Sequence, residues 1–246
     1  MNNEGPGERE LMKTAAVTHV GLVKEQNQDR FLIKEFSGDS VLIAVADGAG
    51  GTPAGEEASG VVIERLNDFQ PDSQNPGANL VRLMQEADQM IFGAVEKEPD
   101  LKGMGSTLTA AFIRGERVFW AHVGDSRLYL FRGDELTQIT EDDTMAGFLL
   151  TEGDISREEA RVHPGRNFLF DFIGSGEFEE ETGSLNLRKD DLLLLTTDGL
   201  HDIVPEEALV SILRSNGELD RKLHALVSTA LGMSGKDDLT VVGVEV

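Results

Sequence analysis

The chain contains no cysteine, which excludes disulfide cross-links and thiolate metal sites. Basic residues are scarce: 22 Lys and Arg stand against 45 Asp and Glu, a formal charge of -23. That balance argues against nucleic acid and anionic membrane surfaces as partners, because both would repel the chain. No apolar run approaches the roughly 18 residues of a membrane span, and the opening MNNEGPGERE has no signal-peptide core. The expectation is a cytoplasmic protein of bacterial type. There is no internal repeat, no linker and no low-complexity tract. We therefore expect one domain over residues 13–246 behind a loose lead-in at 1–12.

Two nucleophile and nucleotide signatures are missing as well. The glycines of 48–55 lack the Gly-Lys-Ser/Thr ending of a phosphate-binding loop, and they follow an aspartate that would repel phosphate. Ser126 has neither a Gly-x-Ser-x-Gly setting nor a paired base. His19, His122, His163, His201 and His224 show no ligand spacing and read as structural, with His201 kept open for its closeness to Asp198.

What is present is 246 residues, 39% hydrophobic and 27% charged, ample for a sizeable core. Val41 to Ala46 is an unbroken apolar run, read as a strand buried on both faces, and it leads straight into Asp47-Gly48-Ala49-Gly50-Gly51. Leu192 to Leu195 repeats the device, running through Thr197 into Asp198-Gly199. One such Asp-Gly is most simply a turn. Two at the ends of buried strands are not easily explained as independent turns.

Further strands are expected at Thr14–His19, Arg30–Phe36, Ser106–Ile113, Arg117–Val123, Arg127–Phe131, Ser184–Leu187 and Leu239–Val246. Helical spacing follows Glu56, runs from Leu80 to Ala94, and returns after Pro205 and after Leu219, with short helices between Met145 and His163. Phe168 to Glu181 is aromatic and glycine-bearing and reads as a mobile loop. The order is not the βαβ alternation of a parallel sheet. It predicts an α+β fold, antiparallel sheets covered by helix pairs. In such sheets the end of one strand lies beside the start of its neighbour, so Asp47, Asp198, Asp237 and Asp238 can meet at one edge.

Clustered carboxylates do not all ionise together without cations between them. Aspartates with a backbone carbonyl select Mg²⁺ or Mn²⁺ over zinc. Two such ions about 4 Å apart activate water and neutralise a phosphoryl group, which offsets the negative field against an anionic substrate.

Eight pieces in order resemble the metal-dependent serine/threonine phosphatases of type 2C, in their short bacterial form. They begin with Lys24-x-x-Asn27-Gln28-Asp29, then Asp47-Gly48-x-Gly50-Gly51 with Gly55-Glu56-x-Ala58-Ser59, Gly105-Ser106-Thr107, and Val123-Gly124-Asp125-Ser126-Arg127. They continue with Ile139-Thr140-x-Asp142, His163-Pro164-x-x-Asn167, Thr197-Asp198-Gly199-Leu200, and Asp237-Asp238-Leu239-Thr240-Val241-Val242. The resemblance implies a central sandwich of two antiparallel sheets with helices on both outer faces. It implies a Mn²⁺ or Mg²⁺ pair bridged by Asp47, with the Gly48 carbonyl on one ion and Asp198 and Asp237 on the other. It further implies Asp125 at a third, weaker metal site, Asp29 as a direct or water-mediated contributor, and the Lys24 position on the substrate phosphate. On the residues alone, Asp125 reads equally as a turn acid and Lys24 also as a solvated loop lysine.

Departures from the family pattern are Lys24 for arginine, which keeps the charge and loses the bidentate fork, Gln28 for glutamate, and Ala49 for histidine. Asp143 and Gly165 also differ from the usual His and Arg. The implied activity is hydrolysis of phosphoserine and phosphothreonine in proteins, opposing a Ser/Thr kinase, by a monomer. Its alternatives are a pseudophosphatase that binds phosphoproteins without turning them over, and a phosphatase dedicated to one switch protein.

Overall fold

The computed structural model describes residues 12–36, 39–51, 53–71 and 74–246. The expected lead-in at 1–12 lies outside the described residues apart from Met12. Two sheets, antiparallel throughout, form the centre. The first runs in the order β1 (Lys13–His19), β11 (Leu239–Glu245), β10 (Leu192–Thr196), β7 (Arg127–Arg132), β8 (Glu135–Gln138). The second runs β2 (Asp29–Phe36), β3 (Ser40–Ala49), β5 (Leu108–Arg114), β6 (Arg117–Val123), β9 (Glu181–Asn186), with the short β4 (Gly105–Ser106) paired to the end of β3.

Side-chain alternation decides how the sheets stack. On β3, Val41, Ile43 and Val45 meet Leu193 and Leu195 of β10 and Val242 and Val244 of β11 in one cluster, so this is the face between the sheets. Leu42, Ala44 and Ala46 point the other way, into α1 (Ala54–Leu66) and α2 (Pro76–Lys97). Behind the first sheet, Leu192, Leu194 and Val241 pack on α5 (Asp198–His201), α6 (Glu206–Arg214) and α7 (Leu219–Gly232). The result is four layers, helices, sheet, sheet, helices, as the family resemblance implies. Both central strands read as continuous apolar runs because each face of them is covered.

Two short helices, α3 (Met145–Thr151) and α4 (Arg157–Val162), form an excursion between β8 and β9. The Ser156 hydroxyl caps α4, and Glu159 returns the bond in a capping box. The following segment, expected as a loop, is irregular but tied down. Thr144 bridges to Leu169 and Ser106 to Ile173. Strand β9 starts at Glu181, earlier than the expected Ser184, and only every second residue of it is half-buried, as suits an edge strand.

Candidate active site

Strand parity delivers the acids. Asp47 follows Val45 on the inter-sheet side of β3, and β2 pairs in register so that Asp29 lies directly opposite Asp47. Like charges facing each other across a strand pair are destabilising unless a proton or cation intervenes. From the other sheet, Thr197 continues the inter-sheet side of β10, and its hydroxyl donates to Asp29 Oδ2 at 2.8 Å. Asp198 then opens α5, a single helical turn. Asp125 sits in the turn between β6 and β7, buried at 8% exposure.

Burial, Asp29, Asp198, Asp125 and Asp237 together push the Asp47 carboxyl well above its ordinary range. Burial, with the Asp198, Asp142 and Asp202 charges behind it, does the same to Asp125 against the opposing pull of Arg127. Asp29 is raised to about 7 by burial, over the hydrogen bonds of Thr240 and Thr197. Asp198 is raised to about 7 by burial and then by Asp237 and Asp202, while a hydrogen bond with Asp47 opposes. Four acids thus share one low-dielectric mouth and resist ionising together. Asp29 Oδ1 and Asp198 Oδ1 are fully enclosed and have no hydrogen-bond partner. Orphaned carboxylate oxygens beside further carboxylates are a donor set that suits a hard cation. Among the described residues no three such side chains already stand gathered as a closed metal cage, so the acids are neighbours around a space rather than a finished cage.

Asp237 stands at the rim, half-exposed, with its Oδ1 2.7 Å from Lys24 Nζ. Burial pulls the Lys24 ammonium down, but the Asp237 hydrogen bond and the Asp237, Asp238 and Asp47 charges outweigh it, and the net displacement is upward. Asp238, its neighbour in sequence, has a different task. It is buried, and its two oxygens accept from Gly21 N at 2.9 Å and Gln28 N at 2.8 Å, holding the loop that carries Lys24.

Gly48 has no room for a side chain: a Cβ there would stand 2.0 Å from the Gly55 carbonyl oxygen. The start of α1 therefore presses directly on the end of β3, and Gln28 is buried in the same contact, its Nε2 without a partner. Two histidines, His122 and His201, are buried within the fold. His201 is buried with Nδ1 2.8 Å from Thr196 Oγ1 and a bond to the Asp125 backbone, so it joins two loops of the site.

Asp202, which the sequence reading passed over, lies beside Asp125 and Asp198 and pairs with Arg166 at 3.2 Å. Its signal was present as Asp198-x-x-x-Asp202, one helical turn apart. Asn167 reaches Asp198 Oδ2 at 3.5 Å. A cavity of about 440 Å³ opens from Asp125 and Asp198 beneath α3 and α4, with Leu150 and Leu209 in its wall.

The sequence profile of the protein phosphatase 2C family matches residues 22–229. The chain belongs to that family. The serine/threonine protein phosphatase PstP of Mycobacterium tuberculosis is 40% identical to this family member over 96% of its length, which spans 45% of PstP. The serine/threonine phosphatase stp of Listeria innocua is 35% identical, with 93% of each chain covered. Among solved structures, the catalytic domain of PstP in complex with two manganese ions superposes with a TM-score of 0.84 at 38% identity, covering 96% of this chain and 98% of that one.

Proposed function

We propose that the chain removes phosphate from phosphoserine and phosphothreonine in proteins with the help of two Mn²⁺ or Mg²⁺ ions. The observation that carries this reading is the four-acid mouth with its two orphaned oxygens, Asp29 Oδ1 and Asp198 Oδ1. Asp47 would bridge the pair, with the Gly48 carbonyl on one ion and Asp198 and Asp237 on the other. Asp125 would serve a third, weaker ion, and Asp29 would contribute directly or through water. When bound, such ions supply an activated water and neutralise charge on the phosphoryl group.

The chain's own groups do the rest. Thr197 and Thr240 hold Asp29 in place, and the bonds of Gly21 and Gln28 to Asp238 fix the loop beneath Lys24. Lys24 takes one phosphate oxygen as a point charge once it leaves Asp237. Ala49 carries no ionisable group, so the departing serine or threonine oxygen takes no proton from this position. The partners of this reading are phosphorylated proteins and an opposing Ser/Thr kinase, with the enzyme a cytoplasmic monomer.

Hydrolysis of a phosphothreonine peptide is expected to require Mn²⁺ or Mg²⁺ and to stop on adding a chelator. Asp198→Asn is expected to lower turnover by about a hundredfold or more while the far-ultraviolet circular dichroism spectrum stays that of the parent. Full activity in that variant would remove Asp198 from the metal set. Manganese binding by calorimetry with no phosphate release would instead favour the non-hydrolysing phosphoprotein binder.

A further inference from the structure

Helix α2 buries Leu80, Leu83, Met84, Ala87 and Ile91 along one stripe, and Asp88 lies in the same stripe at 4% exposure. A carboxylate at a core position of an amphipathic helix breaks the local pattern, and such a breach needs a compensating role. Asp88 has no ion pair among the described residues. Instead its Oδ1 accepts two backbone N–H groups, Gly174 at 2.7 Å and Gly176 at 3.1 Å. Both glycines have left-handed φ, 111° and 88°, which lets the segment curl over a single oxygen.

The curl leads to the site in three links. Ile173, fully buried, exchanges both backbone hydrogen bonds with Ser106, at 2.9 Å and 2.8 Å. Thr107 N donates to the Asp47 carbonyl at 2.9 Å, and the Ser106 hydroxyl shares its one proton between that oxygen at 3.0 Å and the Thr107 carbonyl at 2.8 Å. The links have no slack: a Cβ on Gly174 would stand 2.6 Å from Ile91 Cγ2, and one on Gly105 2.4 Å from Phe172. We propose that Asp88, through Gly174, Ile173 and Ser106, is a positioning residue that sets where the end of β3 presents Asp47. The chemical consequence rests on the metal reading above; the mechanical one does not.

The test compares Asp88→Ala with Asp88→Asn, whose amide oxygen can still accept both N–H groups. In the metal-free proteins, amide hydrogen exchange at Ile173, Ser106 and Thr107 is expected to speed up about tenfold or more in the alanine variant and to stay within about threefold in the asparagine variant. In calorimetry the alanine variant is expected to bind Mn²⁺ about tenfold more weakly, as outer-shell losses do, and asparagine to restore the parent affinity. On a phosphothreonine peptide, kcat falls with the metal affinity and KM stays near that of the parent. A folded Asp88→Ala with parent exchange rates and parent Mn²⁺ affinity would overturn the proposal and leave Asp88 a plain stability residue. Should the alanine variant not fold, Asp88→Leu, which keeps the apolar stripe of α2 and removes the acceptor, takes its place, and parent exchange rates with parent Mn²⁺ affinity there would overturn it equally. If the parent protein binds no Mn²⁺, the metal reading fails, and the exchange pattern alone still decides whether Asp88 holds Asp47.

Discussion

Lys24 and Asp237 hold each other at 2.7 Å, and each is assigned a separate partner in the proposed reaction, a phosphate and a metal ion. The pair therefore competes with both. Lys24→Met is expected to tighten Mn²⁺ binding about threefold by freeing Asp237, and to raise KM for a phosphopeptide about tenfold by removing the phosphate contact. Calorimetry and steady-state kinetics on one preparation check both halves. Asp47 and Asp198 were legible as candidate site residues because each follows a solid apolar run and the two together resist a reading as independent turns. Asp125 was legible only through the resemblance, since Gly-Asp-Ser-Arg is also an ordinary turn. Of Asp202 only its place one helical turn after Asp198 was legible, and Asp238 was not legible in its role. Their partners are Arg166, 36 positions away, and Gly21 and Gln28, more than 200 positions away, and no local pattern encodes such pairings.

At the scale of elements, the strands were readable almost throughout, because short apolar or alternating runs bounded by glycine turns mark them. The irregular segment before β9 was not, because its order comes from Asp88 and Ser106 on other elements rather than from its own residues. The loop between β1 and β2, readable as a polar turn, is likewise fixed from outside, by Asp238. Asp238→Ala leaves Gly21 N and Gln28 N buried without acceptors, an expected loss of about 2–4 kcal/mol in urea unfolding. The loop with Lys24 then loosens, so proteolysis within residues 21–28 should speed up before the rest of the fold is affected.

For the whole molecule, two opposing sets of titrating groups shape stability against pH. His122 is completely buried, its ring nitrogens 2.8 Å from Thr109 Oγ1 and 2.9 Å from the Glu141 carbonyl oxygen, and burial lowers it to about 4. The unfolded chain takes that proton near 6.5, so this stability is full above pH 6.5 and is lost as pH falls towards 4, on the order of 3 kcal/mol. Asp29 and Asp198 act in the opposite sense. Raised to about 7, they favour the folded state when protonated, a contribution that is full below the unfolded value of about 4 and is lost as pH rises from there to about 7. The difference in unfolding free energy between the parent and His122→Gln isolates the histidine part, and it is expected to shrink steadily from pH 6.5 to pH 4. A difference independent of pH would mean that His122 titrates in the fold as it does in the unfolded chain.

The face on which Asp47 emerges is fixed by counting along β3, since successive residues alternate between the helix layer and the gap between the sheets. Length is therefore a tighter constraint on this strand than identity. Exchanging Val41 for isoleucine keeps the count, whereas one residue inserted or deleted between Ser40 and Asp47 would turn the carboxylate into the apolar layer under α1. The turn at Gly115, at the far end of β5, bears on no such count, and a residue added there leaves the mouth of the sandwich as it was.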